Sequence, residues 1–155
     1  MSKLKISRDT PLQELTLRRY EKPYNLEKRE LVRKLCLSSG LLQPGDSRDI
    51  IVDILYVLLQ AKKENEELSS EDVKDEVLEL RKNYGLDISG TASSNIRRQI
   101  KRLRDMFLVE KIRNNYRITE FENISVLFND KIKEYLLQSV LERVNDYYKK
   151  IDEEF

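Results

Sequence analysis

The chain has 155 residues and is nearly neutral, with 29 lysines and arginines against 28 acids. Charged residues make up 37% and hydrophobic ones 39%, with four glycines and three prolines, which favours several short amphipathic helices over a broad buried sheet. With no histidine and one cysteine, Cys36, an internal disulfide and Ser-His-Asp or Cys-His machinery are excluded, and transition-metal sites lose their usual ligands.

The opening MSKLKISRDT has no apolar core, so no secretory signal is read there. Thr10-Pro11 is expected to open a short helix, with Gln13 completing a capping-box pattern, and to stop before Pro23. Asn25 is expected to cap a second helix with Leu31, Val32, Leu35 and Cys36 facing inward and Gly40 ending it. Its bases, with those just before it (Arg18, Arg19, Lys22, Lys28, Arg29, Arg33, Lys34), read as ordinary helix exterior; the alternative is an extension of a binding surface. Cys36 falls on an apolar stripe, the pattern of core packing.

"QPGDSRD" reads as a turn that delivers a cap at Asp46 or Ser47, with no function of its own. The helix that follows, about 47–62, is apolar on most sides and belongs in the middle of a core. Only Asp49, Asp53, Tyr56 and Gln60 form a wetter stripe. Its apolar run, Ile50 to Leu59, is broken by Asp53 and is too short to span a bilayer. A soluble, cytoplasmic protein with no membrane partner is expected. "KKENEEL" leaves this helix as a polar loop. "LSSEDVKDEVLELRKNYG" is another helix: Ser69 caps it, Asp72 follows three residues later, and Gly85 ends it. Val73, Val77, Leu80 and Tyr84 form its apolar stripe.

"LDISGTASS" leads into a helix over about 91–106, with Ala92, Ile96, Ile100 and Leu103 inward. The period then changes to two. "LVEKI" and "YRIT" read as strands around Arg113-Asn114-Asn115, a fair tight-turn signal because Asn tolerates positive φ. Positive charge concentrates on this segment: residues 91–119 are net +6, whereas residues 64–90 are net −6. Local charge of this kind steers binding more than total charge does.

Helix, helix, basic helix and a hairpin with a basic tip resemble the winged helix-turn-helix domain of DNA-binding transcriptional regulators. The resemblance rests on "RDIIVDILYVLL", "ELSSEDV", "TASSNIRRQIKRLRDMFLV" and "EKIRNNYRIT", and covers about Ser47–Thr119. The connection "GLDISG" departs from the pattern by exceeding a minimal turn. The expected fold is mainly α: a winged-helix core with a small β-hairpin wing, N-terminal helices and a long C-terminal helix. Three parts follow, an N-terminal helical segment 1–45, a winged-helix domain 46–120 and a C-terminal dimerisation helix 121–155.

Helical geometry sorts the basic residues independently. With Ile96, Ile100 and Leu103 inward, the outer face carries Thr91, Ser94, Arg98, Lys101 and Asp105, and Asn95, Arg97 and Arg102 flank it. Arg104 lies nearer the core edge. A major groove admits one such helix, its N-terminal part pointing deepest. Ser94, Asn95 and Arg98 are therefore expected near bases, and Arg97, Lys101 and Arg102 at phosphates. The resemblance implies flanking backbone or minor-groove contacts for Arg113, Asn114 and Asn115 at the hairpin tip, with Lys111 and Arg117 behind them. The bland alternative is a solvated basic face paired with the acidic preceding helix.

Residues 128–152 read as one long helix. Leu137, Leu141, Val144, Tyr148 and Ile151 step by four and three, a heptad-like seam expected to join two copies. A second stripe, Phe128, Ile132, Leu136 and Val140, lies beside it for the chain's own domain. The alternative is a single wide stripe packed within a monomer. The expected function is sequence-specific binding of double-stranded DNA by a dimeric transcriptional regulator, not an enzyme, with no cofactor and no metal. A protein-interaction module in a larger assembly, and a replication or chromosome-organising DNA binder, stand as alternatives.

Overall fold

The computed structural model describes residues 8–155; the first seven residues of the stretch read as lacking a signal peptide lie outside the described residues. The elements run α1 (Lys28–Ser38), α2 (Ile50–Lys63), β1 (Leu68–Ser69), α3 (Ser70–Asn83), α4 (Ser93–Asp105), β2 (Val109–Ile112) and β3 (Asn115–Ile118). A 3-10 turn, Thr119–Phe121, leads to a continuous C-terminal helix. That helix comprises α5 (Ile124–Leu127), a π-wound segment (Phe128–Leu137) and α6 (Gln138–Glu154). The fold is mainly helical with a small antiparallel sheet. Among the described residues, no helix is long and apolar enough to cross a membrane.

The helix expected after Thr10-Pro11 is absent, and residues 11–27 run as a strap without helix. The start signal is there, but no apolar stripe follows it: Leu12 is 95% exposed. Arg18 pins the strap instead. Its backbone N–H donates to Ser38 O at 2.8 Å, and its guanidinium donates to Leu37 O at 2.8 Å, Leu42 O at 3.2 Å and Gln43 Oε1 at 2.6 Å. Further along, Asn25 turns the chain at φ 59° and Glu27 caps α1, accepting from Arg29 N–H. Val32, Cys36 and Leu37 face the core as a helical stripe, whereas Leu31, expected inward, is exposed. Gly40 follows α1 at φ +75°, where a Cβ would meet Thr16 O at 2.7 Å, so only glycine lets strap and helix end touch.

Helix α2 begins at Ile50, three residues later than expected, with Asp49 as N-cap and no side-chain cap bond. It packs against α1, α3, α4 and β3, so every residue from Ile50 to Leu58 is buried. Each buried Ile, Leu or Val contributes about 1.5–3 kcal/mol of hydrophobic stabilisation. The wetter stripe is dry in its middle: Asp53 is fully buried and Tyr56 nearly so, because α1 and α3 cover that side, while Asp49 is half-buried and Gln60 exposed.

Helix α3 opens with the expected capping box, Ser69 Oγ accepting from Asp72 N–H and Asp72 returning the bond to Ser69 N–H. Val73 and Val77 are fully buried, while Tyr84 sits at the rim and donates to Glu27. Leu68 and Ser69 just before α3 pair with Tyr116 and Asn115, giving the strand order β1-β3-β2. This third strand was not expected; two residues carry no period, and the pairing comes from the open edge of β3 together with the burial of Leu68. In the β2–β3 hairpin Ile112 faces Asn115, so the turn is Arg113-Asn114 alone. Arg113, not an asparagine, takes the positive φ of 58°.

The C-terminal helix starts at Ile124, four residues before the expected start, because Ile124 packs on the core and Leu127 is buried in it. Ile132 is also buried, and Tyr135 meets Phe107 edge-on with ring centroids 6.3 Å apart. Leu136 and Val140 are half-buried and Phe128 is partly exposed. From Gln138 onward no residue is buried.

Candidate nucleic-acid interface

Helix α4 is set by its inner face. Ile96, Ile100 and Leu103 are all at 0% exposure, locked against α2 and α3. The helix starts at Ser93 rather than 91, because Thr91 is held in the preceding loop, its Oγ1 donating to Ile88 O at 2.7 Å. That loop, the unusually long "GLDISG" connection, is fixed at both ends. Arg81 Nε donates to Asp87 O, and Asn95 Nδ2 donates to Gly90 O at 2.7 Å.

A buried ionic cluster holds the layer behind α4. Asp53 accepts from Arg29 and from Arg81, the latter at 2.6 Å, and Asp49 accepts from the same two arginines at 3.1 and 3.0 Å. The cluster ties α1, α2 and α3 together. Burial pushes the Asp49 carboxyl up, but hydrogen bonds from Arg29 and Arg81 outweigh it, leaving the carboxyl below its ordinary pKa. For Arg29 burial acts to lower the pKa, and the bonds to Asp53 and Asp49 reverse it. Sequence reasoning placed Arg29 on a helix exterior and did not find this cluster. The available signal was Asp53 itself, a charge in the middle of an apolar helix, which needs a buried cation. Cys36 is fully buried, and burial pushes its thiol up to about 12, away from reactive thiolate chemistry.

The residues expected to bind DNA divide into two groups. Ser94, Arg97, Arg98, Lys101, Lys111, Arg113 and Asn114 are exposed on α4 and the hairpin. Lys101 pairs with Asp105 at 3.1 Å and the Lys111 ammonium lies 5.8 Å from the Tyr116 ring. The guanidiniums of Arg97, Arg98 and Arg113 bond to no described residue. Arg104, placed near the core edge by helical geometry, is exposed as well, since the helix ends just beyond it.

Four others are already engaged within the chain. Asn95 donates to Gly90 O and accepts from Gln99. Arg102 turns back to Leu41 O at 2.6 Å and to Gln99 Oε1 at 2.9 Å. Asn115 belongs to β3, paired with Ile112 and Ser69. Arg117 is held by Glu110 at 2.8 Å and Glu67 at 3.8 Å and lies over the Phe121 ring. Glu110 also accepts from Glu120 N–H at 2.7 Å, so Arg117 and Glu110 brace the exit from the hairpin.

Among the described residues, no ion pair joins an acid of α3 to a base of α4. The two helices meet in polar contact through Ser93, which accepts from Lys74 and donates to Glu71. Among the described residues no cluster of His, Cys, Asp and Glu is placed to hold a metal ion. Comparison with protein-family models, with curated proteins and with solved structures returns no match to this chain.

Proposed function

We propose that the chain binds double-stranded DNA as a dimeric, sequence-specific transcriptional regulator of the winged-helix type. The order α2, α3, α4 and the β2–β3 hairpin supports that type. The observation that carries the reading is the state of the basic residues. Arg97 and Arg98 on α4 and Arg113 on the hairpin tip stand exposed and unpaired, although acidic α3 packs beside α4. Cations left without internal partners on two adjoining elements suit an external polyanion. Ala92, the N-cap of α4, supplies no side-chain acceptor to the first-turn amides, which suits a phosphate oxygen there. Arg98 is assigned to base edges, and Arg97, Lys101 and Arg113 to phosphates. Asn95, Arg102, Asn115 and Arg117 instead act as braces.

The exposed seam on α6 supports the dimer. Leu141, Val144, Tyr148 and Ile151 lie between 47% and 71% exposed, and heptad spacing suits a second copy. Two copies place two α4 helices on successive half-sites.

Selection of bound fragments from random duplex DNA tests the function. An enriched motif with inverted halves is expected. Affinity should also fall steeply with salt, with a log–log slope of about −4 to −7 for four to eight neutralised phosphates. Absence of duplex binding at low salt overturns the reading in favour of a protein-interaction role.

A further inference from the structure

The turn read as a mere helix entry lies against α4. Gln43, Asp46 and Arg48 from that turn and Asn95, Arg98 and Arg102 from α4 line one cavity of about 650 Å³. That volume falls within the range of small-ligand sites, about 300–1,000 Å³. Its walls carry three arginines against one aspartate. Arg102 is committed to Leu41 O and Gln99, and Asp46 Oδ1 accepts the backbone N–H of Arg48 at 2.9 Å. The guanidiniums of Arg48 and Arg98 bond to no described residue. They come from two elements far apart in sequence and face a shared recess.

We propose that this cavity binds a phosphoryl group, gripped between Arg48 and Arg98. Planar guanidinium forks donate paired hydrogen bonds to phosphoryl oxygens. A phosphomonoester has three terminal oxygens and a backbone phosphodiester two, set tetrahedrally about phosphorus, so that either can serve forks from separate elements, whereas the two oxygens of a carboxylate lie in one plane with its carbon. Excess positive charge on the walls adds to the attraction. The amide nitrogen of Gln43, whose Oε1 accepts from Arg18, adds a neutral donor for the group that carries the phosphate. The phosphate comes either from a free phosphorylated small molecule, which leaves Arg98 at base edges when DNA binds instead, or from the duplex backbone, in which case the inference rests on the DNA reading and moves Arg98 from a base edge to a phosphate, so that Arg98→Ala weakens selected and random duplex alike.

Two measurements on the full chain separate these sources. Arg48 is exposed, so Arg48→Gln should melt like the wild type in chloride. The first measurement is thermal melting in tens of millimolar sodium phosphate against sodium chloride at equal ionic strength. A phosphate-specific rise in Tm that Arg48→Gln abolishes supports a free ligand. The second is duplex titration across salt. If a backbone phosphate occupies the cavity, Arg48→Gln weakens binding about five- to tenfold and makes the log–log slope shallower by about one. Arg113→Gln, outside the cavity, reports on the DNA reading separately. If Arg113→Gln weakens duplex binding, Arg48→Gln does not, and phosphate gives no Arg48-dependent rise, the cavity proposal is overturned and the DNA reading stands. An Arg48-dependent rise without any duplex binding keeps the site and removes the DNA reading. Neither effect in the wild type overturns both.

Discussion

Arg29 and Asp53 meet in a two-pronged ion pair, Nε to Oδ1 at 2.9 Å and Nη2 to Oδ2 at 3.1 Å, with Asp53 wholly shielded from solvent. Arg81 completes the charge balance from α3, so one carboxylate joins three helices. Removing its charge leaves two buried cations to share the single carboxylate of Asp49. Asp53→Asn should lower the unfolding free energy by about 3–5 kcal/mol, as loss of one partner of a buried pair does. Urea unfolding of wild type and variant measures this. A loss below about 1 kcal/mol, the range of an exposed pair, would show that the cluster is open to water in solution.

Asp49 in the same cluster gives a pH signature. Its folded pKa is depressed by Arg29 and Arg81 against the effect of burial. A depressed carboxyl contributes stability that is fully present above its unfolded pKa and lost as pH falls through the folded value. The stability gap between wild type and Asp49→Asn should therefore be flat from pH 7 to pH 5. It should shrink as pH falls below about 3.9, the ordinary aspartate pKa. Unfolding free energies at pH 7, 5 and 3 check this; a gap that holds constant to pH 3 contradicts the assignment.

The DNA reading divides labour between helix and hairpin. Arg98→Ala should reduce binding to a selected site more than to random duplex, with about 1–3 kcal/mol lost on the selected site. Arg113→Ala should weaken both alike, as a backbone contact does. Parallel titrations of both variants on both DNAs decide. Equal losses throughout contradict the placement of α4 in the major groove.

Local signals made α3 and α4 legible in the sequence. Ser69 and Asp72 close their box within one turn, and Ile96, Ile100 and Leu103 repeat at helical spacing. What failed depended on distant partners. Thr10-Pro11 announces a helix, but the strap has nothing apolar to bury and is held by Arg18 across to the end of α1. The two-residue β1 has no pattern and exists because β3 offers it an edge. Among the basic residues, charge and face identified Arg97, Arg98 and Arg113 as exposed cations. The same rules could not show that Arg102 reaches Leu41 O, sixty-one positions away, or that Glu67 and Glu110 hold Arg117. Arg48 was passed over for a related reason: its turn is unremarkable until folding brings Arg98 alongside.

The proposed dimer rests on α6. The second stripe serves the chain's own domain, with Ile132 buried and Leu136 and Val140 half-covered. Of the seam, Leu137 is half-covered like Leu136, whereas Leu141 is 50% and Tyr148 71% exposed. Leu141→Lys or Val144→Glu would put a charge into the proposed apolar contact between copies, where it lacks a partner. Each variant should become monomeric and keep its helical content, because the core around α2 is built without α6. Duplex affinity should fall as well, since each half-site is then bound without the high effective concentration of a linked partner. Light scattering at tens of micromolar, with circular dichroism on the same samples, measures both properties. A wild type that scatters as a monomer there removes the basis for two half-sites, and one α4 helix must then supply all the specificity.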